Sequence, residues 1–413
     1  MLVTQGERIV SGPSEHSHSG DPVQVAVVRA RTTIVNRAEG GLETPRLILG
    51  EQLTVMSDDA LARMPRKSSL ERQVRRKRQK MDNVHPVPHD RNFELPQEYQ
   101  DLVLADTGPN DENRIIVLGS QELVSYLRGE VWAADGTFST TPAIFFQLYT
   151  IHAKVGDQYP PCVYFLLPNK TADTYRRMLQ IMHDIIPEAD PVKILLDFER
   201  GAMNAFSERF PNAIVSGCFF HLSQSVIRKV SELGLKTTYE TDEEFSMLVR
   251  SLPALAFVPE EEVEERFEEV AAAFPDEPAV NNLISYFEST YVRGPRLAGR
   301  YRDPTFPPGV WSHFADAVLL EPKTTNACEG FHNALKSLFM CTHPSVWKFL
   351  NGIRKDIAIQ RLLHIRAEQM QGEGRRKKWV ELARRLRAKV ELYFEEPDKL
   401  RYLRAIAHMQ VAR

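Results

Sequence analysis

Three acids stand where carboxylates can do chemistry. Asp135 in VWAADGTF and Asp197 in KILLDFE each close an apolar, strand-like run, and Glu329 sits among the helix-forming residues of TTNACEGFHNAL. If the two strands are neighbours, the two aspartates meet at one sheet edge. Adjacent anions repel and shift each other's pKa unless a cation lies between them. Hard oxygen ligands with few protein donors suit Mg²⁺ or Mn²⁺, which keep positions for phosphate oxygens and water. A third carboxylate from a helix, Glu329, would complete a two-metal site for in-line phosphoryl displacement. Spacing alone leaves a plainer reading open, since aspartate favours the turns that end strands.

The elements that must position these acids are legible from periodicity and punctuation. From about Ile115 the order is RIIVLGS as a strand, QELVSYLRG as a short helix, and VWAADGTF as a strand. FFQLYTIHAKVG and YPPCVYFLLP add two β-rich runs with VGDQYP as the turn. TADTYRRMLQIMHDII has the 3.6-residue spacing of an amphipathic helix, VKILLDF is a buried strand, RGAMNAFSERF a helix, AIVSGCFF a strand and HLSQSVIRKVSELG a helix. Three successive strands leading into βαβ crossovers predict an α/β fold, a mixed sheet with helices on both faces. Upstream, QVAVVRARTTIV has the β-branched content of a strand or short buried segment. Pro45 to Asp82 reads mainly as helices, with the serines before LERQ supplying an N-cap. PSVWKFLNGIRKDIAIQRLLHIRAE and KKWVELARRLRAKVELYF read as long amphipathic helices, the candidates for a dimer surface.

The 413 residues, 43% hydrophobic, suffice for two or three domains with substantial cores. No apolar run approaches the ~20 residues a spanning helix requires, and no signal or transit pattern opens the chain, so an intracellular protein without a membrane partner is expected. Cys162, Cys218, Cys328 and Cys341 lie at irregular, distant positions, which predicts reduced thiols. The net charge of −3 hides segregation. Arg63 to Lys80 carries nine basic residues and one acid, and Arg354 to the C-terminus sixteen basic against eight acidic. Tyr239 to Thr290 carries fourteen acids and two arginines. Two cationic blocks suit a phosphate backbone, and RRKRQK is also a nuclear-localisation pattern, so DNA and the nucleus are the expected partner and compartment. No small-molecule substrate is expected. The acidic block is expected to face away from nucleic acid or to meet a cationic partner.

Between about Pro86 and Leu362 the chain resembles the Mutator-like element (MULE) transposase family, an RNase H-like DDE core. WAADGTFSTTP is similar to its first-aspartate block, FFQLYTIHA…PCVYFLLPNKTADTY to its hairpin and first helix, and LLDFERGAMNAF to its second-aspartate block. GCFFHLSQSVIRKV resembles the next strand and helix with its Cys-x-x-His, and FPPGVWS with TTNACEGFHNALKS resembles the glutamate block. The resemblance implies that Asp135, Asp197 and Glu329 are catalytic metal ligands for Mg²⁺ or Mn²⁺, and that a helical insertion precedes the glutamate. It places Cys218 and His221 near the site, in a structural or DNA-positioning role, with a satisfied core histidine as the plainer alternative. Two such residues fall short of a four-ligand zinc site. Glu199 could share the metal directly or through water, and His332 shares the helix face of Glu329.

Complete relatives often carry an N-terminal FLYWCH-type zinc finger ending in His-x-His, and His16 and His18 in SEHSHSGDP resemble that ending without an upstream cysteine. The implied reading is a chain that begins inside the finger and should not bind zinc tightly there, leaving Arg72, Arg75, Arg76, Lys77 and Arg78 as the DNA-binding segment. Arg293, Arg296, Arg300 and Arg302 in YVRGPRLAGRYRDP are further candidates for phosphate contacts. The expected divisions are a disordered or finger-remnant tail (1–44), a basic helical segment (45–85), a first core part (86–237), an acidic helical insertion with the arginine-rich loop (238–310), a second core part (311–362) and basic helices (363–413). The implied activity is DNA cleavage and strand transfer at element ends by a homo-oligomer. The alternatives are a domesticated, catalytically silent DNA-binding protein and an RNase H-like nuclease.

Overall fold

The computed structural model describes residues 3–5, 8–11, 20–40, 43–82, 85–156, 158–297, 299–321, 323–368 and 377–410. His16 and His18, and with them the expected finger remnant, lie outside these residues. The chain forms two units, Met1–Val87 and Pro88–Arg413. No helix among the described residues is long and apolar enough to cross a membrane.

In the first unit a small antiparallel pair, β1 (Val3–Gln5) and β2 (Arg8–Ser11), precedes α1 (Pro22–Gly40), α2 (Pro45–Thr54), α3 (Asp58–Ala62) and α4 (Lys67–Asp82). QVAVVRARTTIV, expected as a strand or a short buried segment, is no strand but the body of α1, with one face buried. Val27, Ala30, Ile34 and Ala38 are buried at spacings of three and four, and Ile34 and Ala38 pack with Ile48, Leu49, Leu70 and Val74. The cost of a β-branched residue in a helix is at most ~0.7 kcal/mol, whereas burying each such side chain returns ~1.5–3 kcal/mol. Packing therefore overrides propensity. α4 begins at Lys67, so Ser68 and Ser69 lie inside its first turn rather than capping it.

The second unit is built on a seven-stranded mixed sheet in the order β3-β4-β7-β6-β5-β8-β9. Its elements are β3 (Val103–Asp106), β4 (Ile116–Gly119), α5 (Gln121–Ser125), β5 (Val131–Thr137), β6 (Gln147–Ala153), β7 (Pro161–Leu167), α6 (Ala172–Ile185), β8 (Lys193–Leu196), α7 (Arg200–Arg209), β9 (Ile214–Gly217) and α8 (Phe219–Glu232). The first five strands in that order pair antiparallel, while β5/β8 and β8/β9 are parallel. Period-two alternation distributes the side chains. Val163, Phe165 and Leu167 of β7 pack with Tyr175, Met178 and Leu179 of α6, while Tyr164 and Leu166 face a separate cluster containing Phe331, Trp347, Leu350 and Ile353. Both faces are thus covered by helices.

Between β9 and Glu329 lie α9 (Lys236–Thr241), α10 (Glu243–Ala254), α11 (Val263–Ala272), α12 (Pro278–Phe287), the two-residue strands β10 (Arg296–Leu297) and β11 (Arg300–Tyr301), α13 (Pro308–Trp311) and α14 (Phe314–Val318). The acidic stretch is amphipathic. Val263, Phe267 and Val270 of α11 are buried at helical spacing, and the acids occupy the remaining surface. α15 (Asn326–Phe339), α16 (Val346–Glu368), α17 (Lys377–Glu391) and α18 (Lys399–Gln410) follow. The acidic helices do meet a cationic partner, but within the same chain: Arg404 of α18 pairs with Glu244 of α10, and the Tyr402 hydroxyl donates to the Phe257 carbonyl at 2.6 Å. Leu386 and Val390 of α17 are buried in the same core, so that part of its apolar face is spent inside the chain.

Candidate metal centre

β5 and β8 run parallel with Trp132 opposite Ile194 and Ala133 opposite Leu195, which brings Asp135 and Asp197, each two residues further on, to the same level. Asp197 follows the last residue of β8. Asp135 does not end its strand: it is paired with Thr150, and Gly136 with Tyr149. The glycine therefore serves close approach rather than a turn. A Cβ at Gly136 would lie 2.8 Å from Gln147 Oε1 and 3.2 Å from the Tyr149 ring. Gln147 Nε2 donates to the Tyr175 hydroxyl at 2.7 Å, and that hydroxyl donates to Glu199 Oε1 at 3.0 Å. Gln147 and Tyr175 are fully buried, so Glu199, at the start of α7, is held from below by a rigid relay.

Two helices close the site. α8 leaves β9 at Cys218, whose N–H donates to the Leu196 carbonyl, and Cys218 Sγ accepts from Thr325 N and Oγ1 at 3.2 and 3.3 Å. Cys218 is thus the peg that fixes the start of α15. Cys328 packs on Ala133 and Leu195 of the two aspartate strands, which sets Glu329 beside the acids. His221, in the first turn of α8, stands between them, with Nδ1 3.5 Å from Asp197 Oδ1 and Nε2 3.4 Å from Glu329 Oε1. Asp135, Asp197 and His221 each offer a ligand atom within 4.8 Å of the others. His332 lies 3.5 Å from Asp135 Oδ2 through Nδ1, and its Nε2 is 3.5 Å from Thr150 Oγ1.

The electrostatics are those of an anion cluster in which no lysine or arginine among the described residues pairs with Asp135 or Asp197, although Lys170 acts on Glu199 and Arg228 on His221. Burial, then the charges of Asp197, Glu329 and Glu199, pushes Asp135 up to about 8, against the single opposing hydrogen bond from Gly136 N–H. Burial also raises Glu199, and it lowers both His221 and His332, the latter to about 3. Burial thus favours the neutral form of both imidazoles, which makes them weak counter-charges for the acids. His221 Nδ1 is buried with no hydrogen-bond partner, and 3.5 Å exceeds the range of a good bond to Asp197. An orphaned imidazole nitrogen facing the Asp197 carboxylate, in a group that includes Asp135, fits a divalent cation, which would take both donor types.

The sequence singled out the three acids and named Glu199, Cys218, His221 and His332 as supporting residues; the fold brings all seven to one place. Their grouping is not by acids alone, since His221 rather than Glu329 joins the two aspartates in the tightest set. The satisfied-histidine reading of His221 does not hold, because Nδ1 is unsatisfied, whereas Cys218 is a structural peg. Gln147, Tyr175 and Thr150 were missed; a polar residue inside the apolar run QLYTIHA was the available signal. Lys170, Arg228, Tyr286 and Tyr291 line a cavity of about 300 Å³ that opens on Asp197, Glu199 and His221.

The basic candidates separate into engaged and exposed ones. Arg293 pairs with Glu264, Glu268 and Glu288 at 2.5–2.8 Å and lies over the Tyr301 ring, so its charge is locally offset. Arg296 and Arg300 are exposed on β10 and β11, as is Arg302 just beyond. In the first unit Arg72, Arg75 and Arg76 are exposed on α4, with Arg75 paired to Glu71; Lys77 and Arg78 are half-buried. Arg78 donates to the carbonyls of Ala38 and Glu43, ending α1.

No curated protein matches the chain. Residues 131–225, which run from β5 into α8 and include Asp135, Asp197, Glu199, Cys218 and His221, match the family model described as MULE transposase domain. Over this stretch, which holds β5 to β9 and the first half of α8, the chain is therefore similar to MULE transposase domains.

Proposed function

We propose that the protein is a DDE-type DNA transposase, with an RNase H-like core interrupted by the acidic helical insertion over 238–310. The observation that carries this reading is the convergence of Asp135, Asp197, Glu329 and His221 from two adjacent parallel strands and two helices, with a buried imidazole nitrogen left unpartnered among carboxylates. The strand order, three antiparallel strands with two parallel strands beside the first, supports the core assignment. Asp135, Asp197 and Glu329 would hold Mg²⁺ or Mn²⁺, with His221 as a further donor and Glu199 through its fixed position above Tyr175. When bound, the metal supplies the charge that stabilises attacking and leaving oxygens of a phosphodiester. Asp135 is buried, and the two imidazoles, pushed toward their neutral form by burial, add little positive charge to the site. DNA is the substrate, the nucleus the compartment, and a homo-oligomer the form that brings two element ends together. The exposed arginines of α4 and of β10–β11 supply phosphate contacts that position without reading sequence.

The test is nicking and joining of a supercoiled plasmid with a 3′-hydroxyl oligonucleotide in Mn²⁺, comparing the full chain with Asp197→Asn. Joined product from the wild type alone supports the transposase. Nicking without joining favours an RNase H-like nuclease, and retardation of the plasmid without cleavage favours a domesticated DNA-binding protein. Equal activity in both proteins would remove these residues from the chemistry.

A further inference from the structure

Beside the acid cluster two large apolar rings stand in solvent. Phe138, three residues after Asp135, is 46% exposed, and Phe146, just before β6, is 44% exposed; their centroids are 5.3 Å apart in an edge-to-face pair. Phe138 also lines the small cavity that contains Asp135, Asp197 and Glu199. The loop that carries the rings is not loose. Thr141 Oγ1 donates to the Thr137 carbonyl at 2.8 Å and accepts from Leu148 N at 2.7 Å, Phe146 N donates to the Leu167 carbonyl at 2.9 Å, and His343 N donates to the Ser139 carbonyl at 2.9 Å. Arg91 reaches the Ile144 carbonyl from the far side at 3.1 Å. The rings are held out by design of the backbone rather than left over from packing.

Exposed rings at that spacing suit a flat apolar ligand. Their free area is on the order of 200 Å², far below the ~1,200 Å² of a stable protein interface. A nucleobase matches in size, and every base has a π-face to stack, so a platform of this kind tolerates any sequence. The position completes the argument. A phosphodiester at Asp135 and Asp197 carries its neighbouring nucleotide within reach of residue 138, and a base can lie flat on a ring only when it has left its own stack.

We propose that Phe138 and Phe146 form a stacking platform that holds one unpaired base of the DNA strand adjacent to the reacting phosphodiester. The inference rests on the nucleic-acid reading of the acid cluster and adds a subsite to it: the strand is engaged locally unstacked, and discrimination between duplex and opened ends resides in these two rings.

The experiment is a cycle that removes ring and base separately. Binding of the full chain to a mixed-sequence single-stranded oligonucleotide is compared with binding to an abasic deoxyribose-phosphate strand of equal length, for wild type and for Phe138→Ala/Phe146→Ala. The expected result is about a tenfold or larger preference for bases in the wild type, lost in the double variant, with Phe138→Tyr retaining it. An unchanged melting temperature establishes that the variants fold. Equal preference for bases in all proteins overturns the platform, including the case in which the rings instead dock a polypeptide. Plasmid nicking in Mn²⁺ separates the two claims. Nicking by a wild type that shows no ring–base coupling refutes the platform and leaves the transposase reading standing. Coupling in a wild type that never nicks upholds the platform and refutes the catalytic reading.

Discussion

Two regions of the second unit gather carboxylates, and they are solved oppositely. Around Arg293, three glutamates from α11 and the end of α12 converge on one guanidinium that is only 16% exposed and is further held against Tyr301. Arg266 does the same with Glu265 and Glu269. On β5 and just past β8, Asp135 and Asp197 have no lysine or arginine partner among the described residues, and burial favours the neutral form of the nearby imidazoles. Acids that serve structure are given a cation by the fold. Acids left without one carry a cost in stability, which under the proposed metal-binding role a cation from solution would offset.

Removing a carboxylate should therefore have opposite consequences in the two regions. Asp197→Asn or Asp135→Asn is expected to lower Mn²⁺-dependent nicking by about a thousandfold or more, and to abolish the rise in melting temperature on adding Mn²⁺. Arg293→Met should leave nicking near wild type while destabilising the fold by about 1–3 kcal/mol, less than a fully buried pair because its glutamates are solvated. Nicking lost in Arg293→Met with the melting temperature preserved would erase the distinction and return Arg293 to the DNA contacts.

The same contrast has a pH signature. Asp135 titrates near 8 in the folded chain against 3.8 as its ordinary value. A raised carboxyl pKa means that its proton stabilises the folded state fully below about pH 4, and that this contribution is lost as pH rises towards 8. The metal-free protein should thus lose on the order of a few kcal/mol between pH 5 and pH 8.5 relative to Asp135→Asn, and Mn²⁺ should raise the melting temperature more at pH 8 than at pH 6. Denaturant melts of both proteins across that window decide it; parallel curves would show that Asp135 is already ionised without metal.

How far the sequence carried differs by the range of the forces involved. The aspartate strands, the amphipathic α6 and the β/α order follow from local alternation, and the mixed α/β sheet was legible for that reason. The α1 region was misread because its β-branched composition is a local signal, while Ile34 and Ala38 are held by Leu70 and Val74, some forty residues away. His221 was noticed only through its Cys-x-x-His spacing. That its Nδ1 would face Asp197 and its Nε2 Glu329 depends on closing the more than one hundred residues between His221 and Glu329. The neutralisation of Arg293 was hidden likewise, since Glu264 and Glu268 lie on a different helix.

Two smaller effects sharpen the picture of how the acid cluster is held in place. Cys218→Ala removes the acceptor of both Thr325 donors in a residue with no solvent access. Leaving them unsatisfied should cost about 1–3 kcal/mol and, by loosening the start of α15 beneath Glu329, reduce nicking roughly tenfold. Wild-type nicking in a destabilised Cys218→Ala would mean that Glu329 does not depend on this peg.

Gly136→Ala should do least and tell most about Glu199. The added methyl meets Gln147 Oε1 at 2.8 Å and Tyr149 at 3.2 Å, and no positive φ complicates the substitution. Gln147 is fully buried and bonded to Tyr175, so it yields only by moving that hydroxyl, and with it the bond to Glu199. Overpacking of this kind costs about 1–3 kcal/mol, and a displaced carboxylate a few-fold in nicking rate, with Mn²⁺ affinity changed little because Asp135 and Asp197 stay where the strands put them. Gln147→Ala in the same background opens the space again. If it restores the fold but not the rate, the relay through Tyr175 is what Glu199 requires. If it restores both, Gly136 answers only to the width of the strand pair, and Glu199 needs no support from below.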